Sequence, residues 1–253
     1  MFHAYFQKLT ELLALEHNCS PDDFRKSENI LTLPALHEGR RVYLQGPYYL
    51  HMATTGSNTV VTANESLHPF LRKFIHEEGA EGHWLMTLPN LLRIEHELQK
   101  HGYTLTQTHH LLLPAVQTEP VGTWKTRRFY DGEIMQFYGD ARFPNAICPR
   151  FLPERPDRIV ICAYDDSGEI AGMAGCSEDA PHWQQIGIDV LPAFRSRGLA
   201  SYLVTLLKNE IMARGEIPFY GTALSNYHSQ RTALHAGFRP AWVETGAQPI
   251  SAE

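Results

Sequence analysis

The stretch that most restricts how this chain can fold is Val190-Leu191-Pro192-Ala193-Phe194-Arg195-Ser196-Arg197-Gly198-Leu199-Ala200-Ser201. Upstream of it, residues 184–190 (QQIGIDV) place Ile186, Ile188 and Val190 on one face and Gln185, Gly187 and Asp189 on the other. That alternation predicts a strand. Pro192 stops the strand. From Arg197 to Arg214, Leu199, Leu203, Leu206, Leu207 and Ile211 recur at helical spacing up to Gly215, which predicts a helix with a glycine cap. A strand therefore runs through a short basic loop straight into a helix. The first backbone N–H groups of a helix lack an internal partner. Together with a helix dipole of about half a positive charge, they make a cradle for phosphate oxygens. Gly198 removes a Cβ from that approach, Ala200 keeps the next position small, and Arg195 and Arg197 concentrate positive charge there.

The pattern [Arg/Gln]-x-x-Gly-x-[Gly/Ala] alone arises in roughly one chain in four of this length. Its surroundings give it weight, because a strand-to-helix junction is the setting a phosphate cradle needs. Before it, Asp131–Gly139 reads as helical and Ala141–Pro153 as an irregular loop. Arg158–Tyr164 and Glu169–Cys176 read as a hairpin about Asp165-Asp166-Ser167-Gly168. After it come a strand at Pro218–Leu224, a helix at Asn226–Ala236 and a strand at Phe238–Glu244. Residues 114–124 carry no periodicity, and we place a domain boundary near residue 119, separating 1–118 from 119–253.

The first part is also mixed. Phe2, Tyr5, Phe6, Leu9, Leu12 and Leu13 predict an opening helix. Strands are expected at Arg41–Gln45, Tyr48–Ala53 and Asn58–Thr62, and helices through Leu67–Ile75 and from Pro89 to a cap at Gly102. A further strand is expected over Tyr103–Leu113. The fold class is accordingly α/β (α+β).

A formal charge of −6 argues against a nucleic-acid partner. Cys19, Cys148, Cys162 and Cys176 form no CxxC pair, so neither a disulfide scaffold nor a zinc knuckle is expected. His109 and His110 fall on opposite faces of a strand and cannot easily share an ion, so no metal is expected. The opening residues do not read as a signal peptide, and no apolar run approaches the roughly 20 residues of a membrane span. A cytoplasmic protein is the expectation.

One more strand beyond the cradle stand Asn226, Ser229, Ala233 and then Gly237-Phe238. The layout resembles the GNAT N-acetyltransferase superfamily, with its Val-x-Pro-x-x-Arg-x-x-Gly-x-Gly/Ala and Asn-x-x-Ser/Ala through to Gly-Phe. The resemblance covers roughly residues 121–245. It also looks like a bacterial GNAT subfamily with an extra N-terminal domain, itself compatible with a degenerate GNAT-like unit lacking a second cradle. By resemblance, acetyl-CoA is the acyl donor and a small-molecule amine the acceptor, without metal; a homodimer is compatible with it. The diphosphate would lie over Arg195, Ser196, Arg197, Gly198, Leu199, Ala200 and Ser201. The pantetheine would run along the strand ending at Val190, with backbone N–H groups of Val190 and Leu191 on the thioester carbonyl, and Asn226 and Ser229 lining the arm.

Two departures bear on catalysis. Ala233 stands where the family often has a tyrosine as acid for the thiolate. Gln185 stands where some relatives have a glutamate base, and it can orient water but not take its proton. Asp189 is the nearest alternative carboxylate and Tyr220 an alternative acid, with Tyr227 and His235 behind it. Glu178, Asp179 and His182 lie on an expected 177–183 loop. Phe143, Trp183 and Tyr220 are candidates to wall an acceptor pocket, though each also reads as core. A non-catalytic acyl-CoA-binding module is the competing reading.

Overall fold

The computed structural model describes residues 1–42, 47–77 and 81–251. In chain order it contains α1 (Phe2–His17), β1 (Ile30–Thr32), β2 (Leu50–Thr54), β3 (Thr59–Ala63), α2 (His68–Arg72), α3 (Leu88–Gln99), β4 (Tyr103–Leu105) and β5 (His109–Pro114). Then come β6 (Lys125–Tyr130), β7 (Asp157–Tyr164), β8 (Ile170–Ala180), β9 (Trp183–Val190), α4 (Leu199–Ala213), β10 (Ile217–Ala223), α5 (Tyr227–His235) and β11 (Phe238–Pro249). The fold is mixed α/β, as the alternating periodicities require.

By packing, one compact unit holds Met1–Tyr5 and Leu112–Pro240, and the other holds Phe6–Leu111 and the chain from Ala241 on. The sequence suggested a change near residue 119, where periodicity is lost. Residues 115–118 are aperiodic yet tied into the first of these units. The amides of Ala115 and Val116 donate to Gly237 O at 2.9 and 3.2 Å. The Thr118 hydroxyl donates to Ala236 O at 2.9 Å. The Lys208 ammonium, fully buried on α4, donates to Val116 O at 3.1 Å and Thr118 Oγ1 at 2.8 Å. Burial pushes this amine down to about 8. Gly237 is obligatory here: its φ is +85°, and a Cβ would stand 2.7 Å from Val116 O.

In this unit the strands lie in the order β6-β7-β8-β9-β10-β5. β6 through β9 are antiparallel, and β10 lies parallel to β9. On one face Leu199, Leu203, Leu207 and Ile211 of α4 and Ala233 of α5 bury against Ile159, Ala174, Ile186 and Tyr220. On the other, Phe129, Ile134, Phe137, Phe143 and Ile147 pack on Val160, Cys162 and Met173.

Several boundaries differ from the sequence reading. The expected helix over 131–139 is a 3-10 turn, Asp131–Phe137. β8 continues to Ala180, so Ser177–Ala180 are strand rather than loop, and only Pro181 and His182 turn the chain, with His182 at φ +68°. The single strand expected over 103–113 is two, β4 and β5. β1 was not anticipated. Arg41 and Val42 are irregular, and residues 43–45 of the expected first strand lie outside the described residues.

In the other unit the order is β1-β3-β2-β11, with β4 also on β11. Leu50, Met52, Val61, Leu71, Phe74, Ile94 and Leu98 form its core. Arg41 is buried between Glu16 and Glu244, each at 2.7 Å, and covers the Trp242 ring. Beside this ion pair the rings of His17 and His51 stack with centroids 4.5 Å apart. Burial lowers the pKa of both, and for His17 the neighbouring His51 and Arg41 lower it further. Folded imidazoles are then neutral while unfolded ones protonate near 6.5. Their contribution is present above that value and is lost as pH falls toward the lowered folded values. Burial opposes ionisation of Glu244, but Arg41 and His51 hold its pKa at about 2, which extends the loss to more acidic pH. The unfolding free energy from urea titrations is expected to fall between pH 7 and pH 5 by up to about 1.4 kcal/mol per pH unit for each histidine, with the midpoint falling accordingly. A pH-independent midpoint would refute this. No helix among the described residues is long and apolar enough to cross a membrane.

Candidate functional site

β9 and β10 part company halfway along. They pair only from Trp183–Ile217 to Ile186–Tyr220, although β9 continues to Val190 and β10 to Ala223. On its other side β9 stays paired with β8 up to Val190–Gly172. The Leu191 N–H donates to Ala171 O at 3.0 Å. Because N–H groups alternate along a strand, those of Ile188 and Val190 then point away from β8, toward the gap where β10 has diverged. This corrects the expectation for Leu191, whose amide is already occupied. The Val190 carbonyl accepts from Arg195 Nε at 3.0 Å.

The gap opens onto the start of α4. Gly172 on β8 leaves room there: a Cβ would lie 3.2 Å from Leu199 Cδ2 and 3.3 Å from Val190 Cγ2, a tight fit. α4 starts at Leu199, later than the expected Arg197, with Gly198 as N-cap at φ +77°. The first intrahelical bond is Tyr202 N–H to Gly198 O at 3.0 Å, and no side chain caps the end. The amides of Leu199, Ala200 and Ser201 therefore have no partner within the helix. Arg195, Ser196, Arg197 and Gly198 are exposed, and a Cβ on Gly198 would meet nothing within 4 Å. Ser196 also adopts a left-handed conformation, φ +61°. Arg197 lies over the Phe194 ring at 5.7 Å. A run of amides without helical partners beside two exposed arginines suits a diphosphate.

Asn226 caps α5: its Oδ1 accepts from Ser229 N–H at 3.1 Å. Ser229 Oγ lies 2.9 Å from Tyr220 Oη, and burial raises the Tyr220 phenol above its ordinary pKa. Tyr220 and Ala233 belong to one buried cluster. Tyr227, His228 and His235 are exposed.

The carboxylate and amide candidates are heavily engaged. Asp189 Oδ2 accepts from the backbone N–H of Asn145 at 2.7 Å and of Ala146 at 2.9 Å, and Oδ1 accepts from Asn145 Nδ2 at 2.7 Å. Gln185 Oε1 accepts from Arg155 Nη2 at 2.9 Å. Glu178 and Asp179 are held by Arg158 Nε at 2.7 Å and Arg155 Nε at 2.6 Å. Phe143 and Trp183 are core side chains. Cys176 is buried among aliphatic residues, and burial raises its thiol pKa, so it is not a nucleophile. The residues that sequence reasoning missed are Asn145, Ala146 and Arg155, in and just after the aperiodic 141–153 stretch. The available signal was Gly175 and Gly187 inside strands, since glycine there marks close approach of another backbone.

Residues 123–238 match the model of the Acetyltransferase (GNAT) family. No curated protein matches the chain in sequence. Among solved structures, a chain from Novosphingobium aromaticivorans assigned to the GNAT acetyltransferases is similar at 21% identity and TM-score 0.43, over 60% of this chain and 69% of that one. A GNAT-family acetyltransferase from Colwellia psychrerythraea matches at 14% identity and TM-score 0.41, over 57% of each chain. A GCN5-related N-acetyltransferase from Sphaerobacter thermophilus matches at 14% identity and TM-score 0.48, over 96% of this chain and 92% of that one. This chain thus spans less than two thirds of the Colwellia protein.

Proposed function

We propose that the protein is an acyl-CoA-dependent N-acyltransferase, with acetyl-CoA as the donor and a small amine as the acceptor. The observation that carries the reading is the parting of β9 and β10 after Ile186–Tyr220 directly beside the uncapped start of α4. A diphosphate would be held by the amides of Leu199, Ala200 and Ser201, with Arg195, Ser196, Arg197 and Gly198 around it. The pantetheine amides would take the place of the missing strand partner on β9, and the Val190 N–H would polarise the thioester carbonyl. When bound, the coenzyme supplies a thioester: the amine nitrogen attacks its carbonyl carbon, the C–N bond forms, the C–S bond breaks, and thiolate leaves.

A thiol pKa near 8.5 makes thiolate a tolerable leaving group, so acid help is useful but not obligatory. Tyr220 is the phenol we assign to that help, oriented by Ser229. Asn226 acts on the coenzyme arm only through its cap on α5. Asp189 and Gln185 are assigned to holding the segment that faces the thioester, since their oxygens already carry donors.

That engagement also favours a second reading, a non-catalytic acyl-CoA-binding module. Thiol release from acetyl-CoA over a panel of amines separates the two. Release that depends on the amine supports the enzyme; coenzyme binding with no release for any amine supports the module.

A further inference from the structure

Gly175 and Gly187 face each other across β8 and β9 on the side away from α4. A Cβ on Gly187 would stand 1.7 Å from Asn145 O, and one on Gly175 would stand 2.1 Å from Ala146 O. Two consecutive carbonyls of the 141–153 segment thus rest on two strand glycines. Asp189 fixes the same two residues from the next position on that face, through both backbone amides and the Asn145 side chain.

A carboxylate accepts hydrogen bonds and cannot donate, so the Asn145 nitrogen must face Asp189. The Oδ1 of Asn145 is thereby turned away from Asp189 and accepts no hydrogen bond among the described residues, on a side chain that is exposed. Asp189 lies between Ile188 and Val190, whose N–H groups point into the gap. An exposed acceptor is thus fixed over the face of β9, held by the residue between the two whose N–H groups face the gap.

Resting on the acyl-transfer reading, we propose that Asn145 Oδ1 receives an N–H of the attacking amine, with Asp189 as its positioning residue. A carboxamide oxygen orients an N–H but does not remove a proton near neutral pH. Gln185 is likewise a carboxamide, held by Arg155, and Asp189 already accepts three hydrogen bonds. The amine must then arrive neutral. This selects acceptors with a substantial neutral fraction at neutral pH: α-amino groups, with pKa about 8, rather than alkylamines at about 10.4. In the step the amine nitrogen bonds to the carbonyl carbon and the thiolate departs. The surplus amine proton goes to water or, through Tyr220, to the thiolate.

The test is thiol release by the wild type, Asn145→Ala and Asn145→Gln, with amino-acid amides and alkylamines of graded pKa, from pH 6.5 to 9.5. Asn145→Ala retains both backbone bonds to Asp189, so the segment stays in place. The expected wild-type kcat/KM rises with pH along each amine's own titration and favours the less basic amines at pH 7. Asn145→Ala is expected to lower kcat/KM for the amine about tenfold with the KM for acetyl-CoA unchanged, and Asn145→Gln to recover part of it. Undiminished kcat/KM in Asn145→Ala, or a wild-type preference for alkylamines at pH 7, overturns the proposal alone. Absence of release from the wild type with every amine, while acetyl-CoA still binds, overturns acyl transfer and this proposal with it.

Discussion

Valine in place of Gly187 is expected to destabilise the protein by about 3 kcal/mol, the upper end of what overpacking a close-packed interior costs. The first added carbon would lie 1.7 Å from the carbonyl oxygen of Asn145 and 2.8 Å from its carbonyl carbon. Those are backbone atoms and cannot rotate aside. Nor can the segment simply lift, because Asp189 holds the Asn145 and Ala146 amides and Asp157 holds the Cys148 amide at 3.1 Å. The strand is pinned too, since Gly187 pairs with Gly175 inside the β8–β9 ladder. Urea denaturation followed by circular dichroism measures the effect as a fall in midpoint with the slope unchanged. Thiol release should fall with it, because the displaced segment carries Asn145. A midpoint within about 0.5 kcal/mol of wild type, the range of ordinary surface changes, would mean that this segment does not lie on β9.

Gly198→Trp is expected to abolish the stabilisation that acetyl-CoA confers. A ligand at a hundredfold its Kd stabilises the folded state by about 2.7 kcal/mol, and a bulky ring over the cradle removes that response. The substitution has its own cost. Gly198 sits at φ +77°, and an L residue held in the left-handed region loses roughly 1–2 kcal/mol. The informative quantity is therefore the difference in melting temperature with and without acetyl-CoA. Gly198→Asn provides the comparison, because asparagine tolerates this backbone and is smaller than the indole. A full acetyl-CoA response in Gly198→Trp would place the diphosphate elsewhere.

The strand-to-helix junction proposed as the cradle was legible in the sequence because its parts are local. Val190 through Ser201 are joined by a proline, a left-handed glycine and a leucine stripe, each of which acts over a few residues. The position of α4 against the strand end was less visible: it depends on Gly172, which reads in the sequence only as one glycine in a hairpin. For the proposed acceptor side the sequence pointed to the Ala141–Pro153 loop, but not to what fastens it. The loop is held by hydrogen bonds from Asp189 to residues 44 and 43 positions away, and such pairings leave no periodic trace. Asp189 and Gln185 stood out as polar residues on the exposed-looking face of a strand. In the fold that face is covered, and both side chains anchor what covers it. The same reason explains residues 115–118, which read as a linker but are fastened by Lys208, Asn209 and Gly237. Lys208 lies on the α4 surface between the leucines, and only the packing shows that its amine is buried.

On the proposed reading, the unpaired edge of β9 and the uncapped start of α4 together hold an acyl-CoA. Amide hydrogen exchange with and without saturating acetyl-CoA tests this at the atoms concerned, because it reads each N–H separately. Slowed exchange at Ile188 and Val190 and at Leu199, Ala200 and Ser201, with Leu191 slow in both states, is the expected result. Saturation with acetyl-CoA that leaves those five amides exchanging as they do in the free protein would contradict it.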